Sequence, residues 1–120
     1  MKFVRLKKRA DFLAVSKKAY KVRTPAFTLQ ICLSEGDKTS ETANRVGFTA
    51  SKKVGNAVIR NRCKRRLRAL IPELSSDPQK NKQFFDIVLI AHKTLPDFPY
   101  LLLKNDFLSA VKTGMKKTSK

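Results

Sequence analysis

The sequence is poor in the residues that enzymes use for acid, base and metal chemistry. Its 120 residues include one histidine, two cysteines and nine carboxylates. Hydrolysis by paired histidines needs an acid and a base, which His92 alone does not supply. The carboxylates are scattered, whereas a two-metal site needs several to converge on two ions. Neither a Walker loop nor a nucleophile elbow occurs, so the sequence predicts no catalytic residue and no metal site in the protein.

Long apolar stretches are also missing. The longest pure apolar run, Ile87 to Ala91, is far too short to span a bilayer. The N-terminal stretch MKFVRLKKRADF is charged throughout, which predicts that it is not a signal peptide. Cys32 and Cys63 stand alone without metal-ligand spacing. These features favour two reduced thiols in a protein of the cytoplasm.

Negative charge is scarce as well. The sequence contains nine Asp and Glu and 27 Lys and Arg, which gives a formal net charge of +18. Self-repulsion of that size destabilises a compact state unless a polyanion neutralises it, so nucleic acid is the expected partner and an anionic membrane a weaker alternative. Apolar residues make up 42% of the chain, which is a globular composition. The length predicts a single domain over residues 1–120, with a basic, frayed end from about residue 112.

Hydrophobic periodicity predicts a small α+β sandwich. A first helix is expected from Lys7 to about Lys18, with Leu6, Ala10 and Leu13 as its buried stripe. Phe12 falls roughly 100° away from that stripe, on another face of the helix.

Alternating and apolar segments predict the sheet and the remaining helices. Residues 27–33 and 45–50 alternate as strands with one packed face, while 84–91 is apolar almost throughout, as in a central strand covered on both faces. Polar connectors are expected at 34–44 and 75–82. Pro99 suits the start of a last helix, whose apolar stripe is predicted at Leu103, Phe107, Ala110 and Gly114.

The stretch SKKVGNAVIRNRCKRRLRAL, residues 51–70, carries eight basic residues and no carboxylate. Asn56 is a suitable N-cap for a helix, and Pro72 predicts its end near Ile71. A narrow apolar stripe is formed by Ile59, Cys63, Leu67, Leu70 and Leu74. The rest of the helix offers cations of one sign, five of six of them arginine, whereas a solvated face normally mixes signs. Planar guanidinium groups suit bidentate phosphate contacts, so this helix predicts a polyphosphate partner.

Residues 51–68, SKKVGNAVIRNRCKRRLR, resemble the arginine-rich signature of the bacterial ribonuclease P protein subunit. The resemblance continues through RLKKRADF near the N-terminus, RVGFTASKK, and DIVLIAHK after the second connector. It runs from about Arg5 to Val111 in the family's order. It implies a mixed four-stranded sheet with three helices in the order αβββαβα. It also implies a left-handed βαβ crossover through the arginine-rich helix, which the general handedness rule does not predict.

In that family the protein binds a large catalytic RNA, and the RNA performs the Mg²⁺-dependent removal of the 5′ leader from precursor tRNA. The resemblance implies that this chain is the protein subunit of that endoribonuclease. It would bind the catalytic RNA and the leader and broaden substrate specificity, with no cofactor of its own and Mg²⁺ required by the RNA-containing holoenzyme. The RNA-binding residues that the resemblance implies are Lys52, Lys53, Asn56, Arg60, Asn61, Arg62, Lys64, Arg65 and Arg68.

The family holds the leader in a cleft between the first helix and the open face of the sheet. The resemblance implies Phe12, Ser16, Thr28 and Gln30 as the cleft residues here, and Phe12 matches a cleft aromatic. Ser16 stands where some relatives place a second aromatic, and Gln30 stands where they place a Tyr. Hydrogen bonds from Ser16, Thr28 and Gln30 are therefore expected to replace part of the stacking.

Two other classes of protein share parts of this pattern. A structural RNA-binding protein, such as a ribosomal protein, would have a similar composition, but the order of the motifs disfavours it. A DNA-binding helix-turn-helix module would need a second helix a short turn away from residues 56–71, and the sequence predicts none.

Overall fold

The computed structural model of the chain describes residues 3–34, 44–74 and 84–118. Within these ranges five strands form one sheet, which three α-helices accompany. In chain order the elements are β1 (Phe3–Arg5), α1 (Arg9–Lys18), β2 (Tyr20–Arg23), β3 (Phe27–Leu33), β4 (Asn44–Thr49), α2 (Ala57–Leu70), β5 (Phe85–Ala91) and α3 (Tyr100–Thr118). Short 3₁₀ turns at Ile71–Glu73 and Leu95–Asp97 precede β5 and α3. The predicted connectors fall mainly on residues 35–43 and 75–83, outside the described ranges.

The sheet has the order β1-β4-β5-β3-β2, so β5 is its central strand, as its apolar sequence predicts. It runs antiparallel to β3 and parallel to β4. Because β4 and β5 are parallel neighbours, the chain between them, which includes α2, forms a βαβ crossover. The left-handedness of this crossover stays a prediction. The mixed sheet with three helices confirms the predicted α+β class.

The predicted strand count was one too low. The strand β1 pairs in parallel with β4, with Phe3 opposite Asn44 and Arg5 opposite Val46. The order is therefore βαβββαβα rather than αβββαβα. A segment of three residues is too short to show the two-residue period of a strand, and its pairing depends on a partner far along the chain.

The main core lies between the sheet and the helices α2 and α3. Its fully buried members include Leu67 of α2, Phe107 of α3, and Phe27 and Ile87 of the sheet. The rings of Phe27 and Phe107 lie 6.4 Å apart at a tilt of 58°. Burying a side chain of this size contributes about 1.5–3 kcal/mol, so this layer supplies most of the stability. The predicted stripes of α2 and α3 are confirmed, since each faces this core.

The helix α1 covers the opposite face of the sheet, where it contacts β3 and β5. Its predicted buried stripe was largely wrong: Leu6, just before the helix, is buried, but Ala10 is exposed and Leu13 is 52% exposed. Val15 is buried instead, with Phe12 partly buried beside it. Residues 10 and 13 repeat at a helical spacing, but the face that meets the sheet is set by where α1 docks.

The helix α3 includes residues 112–118, the stretch for which the sequence predicts a frayed end. The fraying stays a prediction. Gly114 packs directly on β3, because a Cβ there would stand 2.5 Å from Cγ2 of Ile31. The contact therefore holds α3 against the sheet at this position.

Candidate nucleic-acid interface

The start of α2 is held by two residues. Gly55 has a φ of +155°, which side-chain-bearing residues rarely adopt, and a Cβ there would lie 2.9 Å from the side chain of Ile59. The side chain of Asn56 then accepts a hydrogen bond from the backbone N–H of Ile59 at 3.0 Å, which confirms the predicted N-cap. Pro72 lies in the 3₁₀ turn that follows Leu70, close to the predicted end of the helix.

The buried side of α2 is a narrow seam that contains Cys63, Leu67 and Leu70. Burial raises the pKa of the Cys63 thiol, although the nearby Arg66 and Arg62 guanidinium groups oppose this effect. A buried thiol with a raised pKa is poorly nucleophilic, so Cys63 acts as a packing residue.

The implied RNA-binding residues nearly all reach the solvent around this seam. Arg60 and Lys64 are partly buried, and the exposed members are Lys52, Lys53, Asn56, Asn61, Arg62, Arg65 and Arg68. Nε of Arg60 is buried and has no hydrogen-bond partner among the described residues. Asp97 approaches Arg62 at 3.9 Å, but the two side chains are 57% and 92% exposed, so this ion pair is weak. The structure thus brings the implied residues together on one helix and the turn before it.

Arg66 has a different role from its neighbours on α2. Its guanidinium donates hydrogen bonds to the backbone carbonyls of Leu95 and Phe98, in the segment that leads into α3. One arginine of the basic helix therefore fastens α3 to α2. Sequence reasoning gave Arg66 no function, because its two acceptors lie some thirty residues further along the chain (separations of 29 and 32).

The implied leader residues lie on the opposite face of the sheet. The Phe12 ring packs over Gly47 of β4, and Ser16 is partly buried one turn further along α1. Gln30 is 6% exposed beneath α1, which limits its direct contact with a ligand. Oγ1 of Thr28 lies 2.8 Å from Nε2 of His92, so its hydroxyl already has a partner.

An ion pair joins β4 to β5 on this same face. The guanidinium of Arg45 donates to both carboxylate oxygens of Asp86, at 2.8 and 2.7 Å. It also lies 3.9 Å from Asp11 of α1. No sequence pattern predicts this fork, since an Arg and an Asp so far apart in the chain give no local signal.

Neither a metal site nor a membrane span occurs within the described ranges. They contain no cluster of three or more His, Cys, Asp or Glu side chains that could hold a metal ion. No helix there has the length and apolar character needed to cross a membrane.

The sequence matches a model of the Ribonuclease P family over residues 1–114. The chain belongs to the ribonuclease P protein family. The ribonuclease P protein component of Paramagnetospirillum magneticum is 44% identical over 108 residues, 90% of this chain and 80% of that protein. The component of Bacillus cereus strain AH187 is 35% identical over 117 residues, 97% of this chain and 96% of that protein.

Solved structures of the ribonuclease P protein family share the fold. The RNase P protein of Staphylococcus aureus superimposes with a TM-score of 0.72 at 31% identity, over 91% of this chain and 93% of that one. The family assignment confirms the function predicted from the resemblance, that of the protein subunit of ribonuclease P.

Proposed function

We propose that this chain grips the catalytic RNA of ribonuclease P with α2 and holds the 5′ leader of precursor tRNA along α1, while the RNA performs the cleavage. The observation that carries the proposal is the charge of α2. Residues 51–70 carry eight cations and no carboxylate, and six of these cations lie on α2 around a thin buried seam. Like charges at i, i+4 spacing repel one another, so a polyanion beside this surface should stabilise it.

The geometry of α2 favours RNA phosphates over a diffuse counterion cloud. Asn56 accepts a hydrogen bond from one N–H group of the first turn. The remaining N–H groups there are hydrogen-bond donors for an anion, in addition to Lys52 and Lys53. The exposed guanidinium groups of Arg62, Arg65 and Arg68 follow along the helix, and each can form two parallel hydrogen bonds to a phosphate.

The two proposed RNA surfaces lie on opposite sides of the sheet. The helix α2 packs on the main core, whereas Phe12 of α1 packs on the smaller cluster across the sheet. The protein can therefore bind the catalytic RNA and the leader at once without one displacing the other. On the α1 side the partly exposed ring of Phe12 offers a stacking surface for one leader base.

The chemistry is proposed to reside in the RNA, together with the Mg²⁺ that the holoenzyme requires. Two of the carboxylates in the described ranges are closely paired with cations, Asp86 with Arg45 at 2.7 Å and Glu73 with Lys104 at 3.0 Å. His92 is partly buried and lies within hydrogen-bonding distance of Thr28 and the carbonyl of Pro25. We place the protein in the cytoplasm, with which its two buried free thiols are compatible.

Reconstitution with the catalytic RNA tests the proposal. The protein should stimulate cleavage of precursor tRNA at low Mg²⁺, and alanine at Arg60, Lys64 and Arg68 together should weaken binding of the catalytic RNA. The slope of log K against log salt concentration should fall in magnitude by up to about 0.7–0.9 for each phosphate that the variant no longer neutralises.

A charge-matched control comes from α3. Alanine at Lys112, Lys116 and Lys117 removes the same charge from exposed positions outside the proposed interface. Equal slopes for the two triple variants would show that α2 is not the binding surface. Failure of the wild-type protein to stimulate cleavage would overturn the proposed function as a whole.

A further inference from the structure

A basic groove runs between α2 and the edge strand β1. Its volume is about 520 Å³, and its lining residues are Arg5, Val58, Asn61, Lys64, Arg65 and Arg68. Five of these residues belong to α2. Arg5 belongs to β1, the strand that sequence periodicity does not predict.

The register of the sheet explains why Arg5 reaches this groove. It lies opposite Val46 in the parallel pair of β1 and β4, and paired residues of neighbouring strands point to the same face. Val46 belongs to the main core, which α2 covers, so Arg5 also points to the α2 side. Val4 alternates to the opposite face, where it is 47% exposed.

The groove concentrates positive charge along a short stretch of α2 and the neighbouring strand β1. Four of its six lining residues are cations and none is a carboxylate. Within the described ranges, no salt bridge engages Arg5, Lys64, Arg65 or Arg68. Asn61 and Arg68 lie seven residues apart on the helix, a rise of about 10 Å.

We propose that this β1–α2 groove holds a stretch of RNA phosphodiester backbone and that Arg5 is an RNA-binding residue. The inference rests on the proposed function of α2 and extends it to a second element of the fold. A strand of RNA suits the groove better than a small anion, because its cations are spread along the helix instead of surrounding one point. Val58, which is 73% exposed at the rim, offers an apolar contact for a ribose or a base edge.

The groove lies on the α2 side of the sheet, so its occupant belongs to the catalytic RNA and not to the leader. Loss of Arg5 should therefore weaken binding of the catalytic RNA while the ratio of precursor to mature tRNA affinity of the holoenzyme stays unchanged. This pattern separates Arg5 from the residues of the α1 face.

Arg5→Ala and Arg23→Ala form a matched pair, since each removes one exposed arginine from an edge strand of the sheet. Binding of the catalytic RNA is measured between about 50 and 200 mM salt. If Arg5 neutralises one phosphate, the decline in affinity over this fourfold range becomes about threefold smaller for Arg5→Ala, and Arg23→Ala keeps the wild-type decline. Equal declines for the two variants, or a changed precursor-to-mature ratio for Arg5→Ala, would overturn the assignment.

A second pair tests the groove without removing a cation. Val58→Glu places a carboxylate in the groove, and Leu13→Glu places one on exposed apolar surface of α1, across the sheet. The first variant is expected to bind the catalytic RNA at least tenfold more weakly than the second, and equal affinities would contradict the groove.

The triple variant of Arg60, Lys64 and Arg68 tells the two proposals apart. If it flattens the salt dependence and Arg5→Ala does not, the groove assignment is wrong and the function of α2 stands. If neither variant changes the salt dependence, both proposals are wrong.

Discussion

The ring of Phe12 lies so close to the backbone of Gly47 that a Cβ on Gly47 would stand 2.5 Å from Cε1 of the ring. The contact joins α1 to β4, and it can form only because position 47 has no side chain. It places Phe12 at the edge of the smaller hydrophobic cluster with part of its ring exposed. One side chain thus takes part in packing and remains available for stacking.

Replacing Phe12 by leucine separates these two roles. Leucine keeps most of the apolar packing, so the free energy of unfolding should fall by less than about 1.5 kcal/mol. It cannot stack on a base, so precursor tRNA affinity of the holoenzyme should fall by about 1–3 kcal/mol while mature tRNA affinity is unchanged. An unaltered ratio of the two affinities, with a normal circular-dichroism melt, would remove Phe12 from the leader surface. Gly47→Ala, which displaces the ring, should lower the same ratio.

Arg65 and Arg66 are neighbours on α2 with opposite expected phenotypes. Arg66→Ala removes hydrogen bonds to the carbonyls of Leu95 and Phe98, which should lower the free energy of unfolding by about 2–3 kcal/mol. Arg65→Ala removes an exposed side chain, so unfolding should change by less than about 0.5 kcal/mol while RNA affinity falls. Denaturant unfolding and RNA titration of both variants check this, and similar stability losses in the two would contradict it.

Variants of the two members of the Arg45–Asp86 pair should differ in their free energy of unfolding. The Asp86 side chain is 6% exposed and that of Arg45 is 33% exposed. Arg45→Met leaves a buried carboxylate without its main partner, and removal of one member of a buried pair costs about 3–5 kcal/mol. Asp86→Asn leaves a guanidinium that water and Asp11 can reach, so its cost should be smaller. Equal unfolding free energies for the two variants would show that burial of the carboxylate does not determine the cost of removing its partner.

Polyanions should stabilise the isolated protein, because its net charge is +18 and its basic helix has no internal carboxylate. Ligand at a hundredfold excess over its Kd adds about 2.7 kcal/mol to the free energy of unfolding if it binds only the folded state. Pyrophosphate should therefore raise the melting temperature more than chloride of equal ionic strength. Equal shifts with the two salts would contradict specific anion binding.

The buried thiol of Cys63 makes the stability depend on pH, and its chemical labelling reports how often the fold opens. Burial raises the pKa of this thiol above its ordinary value, so the folded state keeps the thiol protonated while the unfolded chain ionises as the pH rises. This part of the stability is present below the pKa of the unfolded thiol and is lost as the pH rises towards the pKa of the folded one. Labelling of Cys63 by a thiol reagent should slow when pyrophosphate is added at neutral pH, since reaction requires opening of the fold.

Much of this architecture follows from the sequence alone. The alternation of β3 and β4, the apolar run of β5 and the stripe of α2 are local patterns, which can be recognised from neighbouring residues in the sequence. The cap at Asn56 and the stop at Pro72 are equally local. The excess of arginine on α2 is visible in the sequence as well, and by itself it indicates a polyanionic partner.

Tertiary structure decided the features that depend on distant partners. β1 exists because β4 offers a parallel edge, and the buried face of α1 is set by the space above Gly47 and not by its own periodicity. Arg66 and Arg65 are adjacent cations in the sequence, and only the carbonyls before α3 give Arg66 a structural role. Arg5 likewise reaches the basic groove only through its pairing with β4. Charge and period are properties of a segment, whereas the partner of each side chain is chosen by the packing of segments far apart in the chain.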